Sequence, residues 1–255
     1  MSILLIVASG KSSRFGGFPK AFCDIGNKMN VDNTILHARE VFEKVYIGVN
    51  NTVYSEYKSR VRGCEIFSIK TGQGDGHSLL KCLAYIREHE KTIEQIAVCW
   101  GDAIFVDSTP FQQLVERAKN VKIAVACSYD EKPYAWFDVD STNGIVKSHF
   151  AREEGFVEKG LHDQSLFLFD FNFVWKYLNE YRERLGIPYD NDENTADVNE
   201  MKLLQFFGYL FKADYELAKC VEITSGKVLS FNTQEELEVI KEKIKSNAVE
   251  VAGDV

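Results

Sequence analysis

The sequence lacks an excess of positive charge. Its 255 residues include 30 Lys and Arg against 38 Asp and Glu, which gives a formal net charge of −8 at pH 7. Non-specific binding to nucleic acid draws most of its affinity from phosphate neutralisation by basic side chains. An acidic chain is a poor candidate for that role, so no nucleic-acid partner is expected. Any phosphate site is expected to be a local basic pocket.

The six cysteines lack the spacing of a zinc ribbon, because no two of them are arranged as C-x-x-C. Cys99 and Cys127 lie in apolar runs that are typical of strands. Cysteines in such runs are predicted to be buried, unpaired thiols in a protein of a reducing compartment.

Long apolar runs are also missing. No run reaches the roughly 18 residues that a membrane-spanning helix requires. The N-terminal stretch "MSILLIVASG" is too short for a signal peptide and has no basic leader. We therefore expect a cytoplasmic protein without a membrane partner. The oligomeric state stays open, with a homo-oligomer among the alternatives.

Strand-like and helix-like segments alternate in the first half of the chain. Continuous apolar runs predict buried strands, and apolar residues at helical spacing predict helices between them. The predicted strands cover residues 2–9, 44–50, 64–70 and 95–102, and the predicted helices cover 33–43, 53–63 and 77–90. This order predicts an α/β fold with a mostly parallel central sheet and flanking helices, Rossmann-like in character.

The second half is less regular. Residues 135–150 predict a hairpin around the turn "STNG", and residues 164–181 predict a strand that continues into a helix. The polar, acidic stretch 189–200 predicts a surface loop or lid. A final helix is expected after a cap at Asn232 or Thr233. We interpret residues 1–255 as one domain with a small hairpin or lid region.

A glycine loop with three cations follows the first predicted strand. It reads "VASGKSSRFGGFPK" from Val7 to Lys20. A strand, a glycine loop and a helix form a nucleotide site at the carboxyl end of many sheets. The loop is not a P-loop, because Leu5 stands where that motif needs glycine, and its glycines do not form G-x-G-x-x-G.

The loop suits a triphosphate. Backbone N–H groups would surround the phosphates. The residues predicted to bind the nucleotide here are Ala8, Ser9, Gly10, Lys11, Ser12 and Ser13. Arg14 is predicted to hold the leaving pyrophosphate, and Lys20 to neutralise charge at the α-phosphate. The alternative is an ordinary solvated surface loop. That interpretation is disfavoured because the segment directly follows an apolar strand.

The same stretch resembles the first loop of the nucleotidyltransferases with a GT-A-like fold, approximately L-A-A-G-x-G-x-R, a short gap and P-K. It departs from that pattern at Ser9, where alanine is usual, and at Ser12, where glycine is usual. The matching positions are Ala8, Gly10, Arg14, Pro19 and Lys20.

A second glycine loop, "TGQGDGHSL" (71–79), resembles the family's loop that contacts base and ribose. Glycines allow backbone groups to approach a flat base edge. The resemblance implies a nucleotide-binding role for Gly72, Gln73, Gly76 and His77. A plain turn with a helix cap is the alternative.

Asp102 ends the predicted strand in "AVCWGDAIF", where the family carries an aspartate. A carboxylate at a strand end is a suitable Mg²⁺ ligand beside a triphosphate. The alternative is a structural cap of the next turn. Asn232 stands where a second metal-binding aspartate is common in the family, and a helix N-cap explains it equally well.

The stretch "GFVEKG" (155–160) resembles the family's G-F-x-E-K-P segment, whose glutamate and lysine face the second substrate. Glu158 and Lys159 occupy those places and are predicted to bind the acceptor. An exposed ion pair in a loop is nearly as good an interpretation.

These resemblances imply nucleotidyl transfer from an NTP to a phosphorylated small molecule, with Mg²⁺ as cofactor and pyrophosphate as by-product. They assign the nucleotide to about residues 1–110 and the acceptor to about 111–255. The overall look of the chain resembles capsule-associated cytidylyltransferases, which implies CTP, L-glutamine phosphate as acceptor, and phosphoramidate biosynthesis. Sugar 1-phosphates and phosphocholine are alternative acceptors. A GT-A glycosyltransferase is a further alternative, although the D-x-D motif usual in that class is missing from "GDAIFVD".

Overall fold

The computed structural model describes residues 2–10, 12, 15–26, 28–190, 200–224, 226, 228–231 and 233–253, with side chains as far as residue 244. The predicted residues Lys11, Ser13, Arg14 and Asn232 lie outside the described residues, as does 191–199, which is most of the predicted acidic loop.

The described residues form eleven strands and eight α-helices. The strands are β1 (Ile3–Ala8), β2 (Lys44–Val49), β3 (Glu65–Ser68), β4 (Gln95–Trp100), β5 (Ile104–Phe105), β6 (Ile123–Glu131), β7 (Ala135–Val139), β8 (Ile145–Phe150), β9 (Lys159–Asp170), β10 (Lys219–Glu222) and β11 (Val228–Leu229). The helices are α1 (Asn30–Ala38), α2 (Asn51–Tyr57), α3 (Asp75–His89), α4 (Thr109–Arg117), α5 (Ala151–Glu154), α6 (Phe171–Arg184), α7 (Leu203–Lys212) and α8 (Gln234–Gly253), and Lys20–Phe22 forms a short 3-10 helix.

A seven-stranded sheet in the order β10-β6-β9-β4-β1-β2-β3 forms the centre of the protein. Every neighbouring pair is parallel except the two that involve β9, which runs antiparallel to β4 and β6. The prediction of an α/β fold with a mostly parallel sheet is confirmed. The hairpin of β7 and β8 and the small pair of β5 and β11 lie outside this sheet.

Strand β1 explains why the sheet is buried on both faces. Successive strand side chains point to opposite faces. Ile3, Leu5 and Val7 join the core layer that contains residues of α3, α6 and α7. Leu4 and Ile6 join the opposite layer with residues of α1 and α4. The continuous apolar run therefore supplies both layers, as expected for a covered parallel sheet.

The predicted hairpin turn and the predicted helix cap at Thr233 are both stabilised by side-chain hydrogen bonds from neighbouring residues. Asp140 Oδ1 accepts from the N–H groups of Thr142 (2.7 Å) and Gly144 (2.8 Å) and closes the β7–β8 turn. Thr233 Oγ1 accepts from Glu236 N, while a Glu236 carboxylate oxygen accepts from Thr233 N, both at 3.2 Å. This reciprocal pair is a capping box at the start of α8.

None of the six cysteines, all of which are described, forms a disulfide, and Cys99 and Cys127 are buried as predicted. Among the described residues, no helix has both the length and the apolar character needed to cross a membrane.

Candidate active site

A cavity of about 520 Å³ opens at the carboxyl ends of β1 and β4. The chain runs outward from β1 through β2 to β3 and then returns to the other side of β1 with β4. Such a reversal leaves a crevice at the strand ends, which is where open α/β sheets bind ligands. The residues that line the cavity are Val7, Ala8, Ser9, Gly10, Ser12, Lys20, Ala21, Thr71, Gly72, Gly74, Asp75, Ser78, Trp100, Gly101, Asp102, Tyr134, Phe150, Arg152, Glu200 and Lys202.

The end of β1 forms one wall of the cavity. Ala8, Ser9, Gly10 and Ser12, all predicted to bind the nucleotide, lie there. Ser12 has a φ of +48°, in the left-handed region that disfavours side chains, and its carbonyl accepts from Phe15 N at 2.8 Å. This conformation gives a physical reason for the glycine that is usual at this position in the resembling loops.

Ser9 is almost fully buried, and its hydroxyl has no hydrogen-bond partner among the residues the structure describes. Its backbone carbonyl accepts from Asn50 Nδ2 at 3.5 Å, which connects the loop to the end of β2. The Ser9 side chain therefore occupies the space of the alanine that is usual here, and its hydroxyl makes no hydrogen bond to the described residues.

Lys20 and Asp102 form an ion pair at the cavity wall, with 3.0 Å between Nζ and Oδ2. The Lys20 ammonium also donates to the Phe231 carbonyl at 2.7 Å. Only 13% of the Lys20 side chain and 33% of the Asp102 side chain are exposed. The fold thus brings the predicted catalytic cation and the predicted metal ligand to one point, although 82 residues separate them in the sequence.

The position of Lys20 is fixed from both sides. Pro19 has a φ of −70° and precedes the short helix Lys20–Phe22, whose Ala21 and Phe22 are buried. Phe231, which accepts from Lys20, packs edge-on against Phe15 with 5.3 Å between ring centres. The segment before α8 therefore holds the far end of the glycine loop.

Gly101 and Asn30 position Asp102. Gly101 N donates to Val7 O at 2.9 Å, and a Cβ at Gly101 would lie 2.7 Å from the Cβ of Ala8. Real Cβ atoms do not approach that closely, so glycine allows the turn to lie against β1. Asn30 Nδ2 donates to the carbonyls of Gly101 (3.1 Å) and Ala103 (3.0 Å), one on each side of Asp102.

The second glycine loop contacts the cavity less than predicted. Gly72 lines it, but Gln73 and His77 are fully buried. Gln73 N donates to His77 Nδ1 at 3.1 Å, so Nε2 carries the ring proton and donates to the Tyr189 carbonyl at 3.1 Å. These two side chains stabilise the loop from inside and do not reach the cavity.

Gly76 faces the chain itself and not the cavity. Its N–H donates to the Met201 carbonyl at 2.9 Å, and a Cβ on it would lie 3.0 Å from the same oxygen. Gly74 is tighter, since its Cβ would lie 2.5 Å from that oxygen. The glycines that were predicted to approach a base therefore also bring residues 200–203 against the start of α3.

Asp75 joins the same contact and was not predicted as a site residue. Its Oδ1 accepts from Leu203 N at 2.7 Å, which caps the first turn of α7. Desolvation by the surrounding protein atoms raises its pKa to about 6; the charges of Asp163 and Glu200 add to that effect, and N–H groups of Leu203 and Gly76 oppose it. The residue itself is exposed and lines the cavity.

The far wall of the cavity comes from the hairpin side and from the segment before α7. Tyr134, Phe150 and Arg152 lie there together with Glu200 and Lys202. Lys202 Nζ lies 3.2 Å from Glu153 Oε1 and 4.6 Å from the centre of the Phe150 ring. No motif in the sequence marks these residues.

Glu158 and Lys159, the predicted acceptor residues, are exposed and are not among the residues that line the cavity. Lys159 Nζ lies 5.6 Å from the centre of the Tyr129 ring, and the Glu158 carbonyl accepts from Lys132 N at 3.1 Å. A Cβ at Gly160 would lie 2.8 Å from that of Trp136, so the hairpin leaves little room for the proline usual in the resembling segment.

Comparison with known families identifies the chain. Residues 4–164 match the MobA-like NTP transferase domain, which is more than half of the sequence. The chain belongs to this family. It is therefore an enzyme that transfers nucleotidyl groups. All residues that line the cavity lie within the matched region except Glu200 and Lys202. No curated protein matches the sequence.

Solved structures with the same fold extend the likeness to almost the whole chain. HddC from Yersinia pseudotuberculosis has a TM-score of 0.69 at 12% identity, with 95% of this chain and 99% of that chain covered. An inositol-1-phosphate CTP transferase from T. maritima has a TM-score of 0.69 at 15% identity, with 96% of each chain covered. A putative glucose-1-phosphate thymidylyltransferase from Bacillus anthracis has the same TM-score and identity, with 96% and 95% covered.

The donor atoms at Asp102 fit a magnesium ion in this NTP transferase. Mg²⁺ usually binds one or two carboxylates together with substrate phosphates and water. No three His, Cys, Asp or Glu side chains in the described residues are grouped as a complete metal site. Asp102 is a carboxylate on the cavity wall beside the phosphate loop, so it can supply the protein oxygens while phosphate supplies the rest.

Proposed function

We propose that the chain transfers a cytidylyl group from CTP to the phosphate of a small acceptor at this cavity and releases pyrophosphate. The observation that carries the proposal is the Lys20–Asp102 pair, 3.0 Å apart, beside the glycine loop at the β1–β4 edge. A cation and a carboxylate at this point serve a substrate that is anionic and is accompanied by a divalent cation.

The bond changes take place at the α-phosphorus. An oxygen of the acceptor phosphate forms the new P–O bond in line, the bond to the β-phosphate oxygen breaks, and the electron pair leaves with pyrophosphate. Because the acceptor phosphate is already ionised at neutral pH, the step needs no general base. Catalysis then consists of positioning and charge neutralisation.

Each residue has a distinct part in this scheme. The N–H groups after β1 surround the phosphates, and Lys20 neutralises charge near the α-phosphate. Arg14 remains the predicted partner of the leaving pyrophosphate. Asp102 would hold Mg²⁺, with Asn232 as the predicted second ligand, and the ion would supply further charge neutralisation.

The choice of CTP and of L-glutamine phosphate rests on the resemblance to capsule-associated cytidylyltransferases and gives the substrates to test first. The printed names of the fold neighbours supply the competitors: inositol 1-phosphate with CTP and glucose 1-phosphate with dTTP. A sugar 1-phosphate or phosphocholine is the alternative acceptor.

The test is a matrix of nucleotides and acceptors. The protein is incubated with Mg²⁺, one of ATP, GTP, CTP, UTP or dTTP, and one of L-glutamine phosphate, phosphocholine, inositol 1-phosphate or glucose 1-phosphate. Pyrophosphatase converts released pyrophosphate to phosphate, which is measured. We expect release with CTP and L-glutamine phosphate, and none when the acceptor is omitted. Release that is as fast with GTP or ATP would contradict the choice of CTP.

A further inference from the structure

We propose that Arg152 and Lys202 bind the acceptor phosphate, and that Asp75 and Glu200 bind a cationic group of the same molecule. The acceptor class is then a phosphorylated zwitterion, such as a phosphorylated amino acid or amino alcohol. This inference rests on the proposed function, because it places the acceptor in the cavity where nucleotidyl transfer would occur.

The two cations converge on one oxygen. Lys202 Nζ lies 3.2 Å from Glu153 Oε1, and Arg152 Nε lies 3.5 Å from that same atom. Both side chains also line the cavity. A single carboxylate oxygen therefore marks a point that two positive groups can reach together. A phosphate brings more charge and more acceptor oxygens to such a point than a carboxylate does.

Glu153 is a weak competitor for these cations. Its side chain is 46% exposed, and ion pairs between exposed groups contribute little to stability. Lys202 is only 13% exposed and also lies over the Phe150 ring. The ammonium is thus held in place by its surroundings, while its partner is free to turn towards solvent.

Two carboxylates line the same cavity as the cations. Glu200 and Lys202 flank Met201, whose backbone is bonded to Gln73 and Gly76, and Asp75 accepts from Leu203 N. Asp75 and Glu200 both line the cavity, and the charge of Glu200 acts on Asp75. Two carboxylates that line one cavity attract a cationic group. The phosphate of an uncharged sugar carries no such group.

The aromatic side chains favour the same class of acceptor. Tyr134 and Phe150 line this wall, and aromatic faces attract ammonium groups. Cations, carboxylates and aromatic rings therefore line one cavity of about 520 Å³.

The first arm of the test concerns the phosphate. Lys202→Ala and Arg152→Ala are compared with Lys147→Ala, which removes an exposed lysine of β8 that pairs with Glu154 and does not line the cavity. We expect each cavity variant to raise the acceptor KM at least tenfold with the KM for the nucleotide unchanged, and Lys147→Ala to change neither. Lys202→Arg is expected to restore part of the affinity, which separates charge from packing. An unchanged acceptor KM in both cavity variants, or a tenfold rise in Lys147→Ala, would overturn the assignment.

The second arm concerns the cationic group. Asp75→Asn keeps an oxygen that accepts from Leu203 N but removes the charge, and Glu200→Gln is its counterpart. Calorimetric titration measures binding of phosphocholine, L-glutamine phosphate and glucose 1-phosphate in the presence of CMP. We expect the two zwitterions to bind the parent at least tenfold more tightly than glucose 1-phosphate, and both variants to lose that difference. Equal or tighter binding of glucose 1-phosphate by the parent would contradict the proposal.

Binding and turnover separate the two proposals. If zwitterions bind the parent and the variants lose them, but no nucleotide yields product, the proposed function fails and the acceptor site stands. If product forms while the variants leave acceptor binding and KM unchanged, the proposed function stands and this inference fails.

Discussion

Lys20 contacts Asp102 in the turn after β4, and it also donates to the Phe231 carbonyl in the segment before α8. The pair places opposite charges beside each other at the edge of the phosphate loop. In water such a pair contributes little, but at a cavity wall each charge can act on a bound phosphate or cation. These two positions are therefore where single substitutions are expected to separate chemistry from folding.

Replacing the lysine should remove charge neutralisation at the α-phosphate. We expect Lys20→Ala to lower kcat on the order of a hundredfold or more, the typical loss for one such group. Thermal unfolding, measured alongside, should shift by only a few degrees, because the side chain is not part of the apolar core. Near-parental turnover in a folded variant would remove Lys20 from the mechanism.

Replacing the aspartate should change the metal requirement. We expect Asp102→Asn to raise the Mg²⁺ concentration needed for half-maximal rate, because an amide oxygen lacks the charge that holds the ion. A magnesium titration of both proteins at fixed CTP measures this shift. If the variant matched the parent at limiting Mg²⁺, the ion would have to bind elsewhere.

The pKa of Asp75 predicts a pH dependence of stability. Its folded pKa, raised by desolvation from 3.8 to about 6, means that the folded state holds a proton that the unfolded state has lost between these values. This group therefore destabilises the protein progressively as pH rises from about 4 to above 6. Asp75→Asn cannot ionise, so its stability relative to the parent should rise over that range. Urea unfolding at pH 5 and pH 7.5 measures the change, and a difference independent of pH would contradict it.

At the scale of elements, the start of α3 and the segment before α7 act as one unit. Gly74 and Gly76 meet the Met201 carbonyl, and Asp75 caps α7. The glycines in "TGQGDGHSL" predict close approach of the backbone to a nucleotide base, which stays a prediction; the close approach in the structure is to the Met201 carbonyl. Its target could not be predicted, because Met201 is more than a hundred residues away and its contact with the loop exists only in the folded chain.

A bulky residue at Gly76 should therefore disturb the far wall of the cavity more than the phosphate loop after β1. We expect Gly76→Val to lower the free energy of unfolding by about 1–3 kcal/mol, as overpacking usually does, and to raise the acceptor KM more than the CTP KM. Gly208→Ala is the matched control: it lies in α7, and its Cβ would meet nothing closer than 3.9 Å. A larger effect on CTP than on the acceptor would favour direct contact of Gly76 with the base.

Elements with local signals were predicted well. The hairpin turn carries its own Asp140 bonds, and Thr233 with Glu236 forms its own capping box. Helix α1 differs, since it begins at Asn30 and not at residue 33. Asn30 and Asn33 are buried because they donate to carbonyls of the β4–β5 region, which is a tertiary contact that local polarity hides.

At the scale of the whole molecule, the alternation of strands and helices was enough to predict a parallel sheet and a site at its carboxyl edge. The wall formed at the ends of β1 and β4 could be predicted, because a recognisable loop follows each of these strands. The far wall could not be predicted, since Arg152 comes from a short helix after β8 and Lys202 from the chain before α7. Neither has a motif, and only the packing of distant segments brings them to one Glu153 oxygen.

The position of the phosphorus–oxygen bond that breaks tests the central claim most directly. The protein is supplied with Mg²⁺, the acceptor and CTP labelled with ³²P at either the α- or the γ-position, and the labelled products are separated. Nucleotidyl transfer predicts that α-label moves to the acceptor and that γ-label leaves as pyrophosphate. Appearance of γ-label on the acceptor, or of α-label only in free CMP, would contradict nucleotidyl transfer at this cavity.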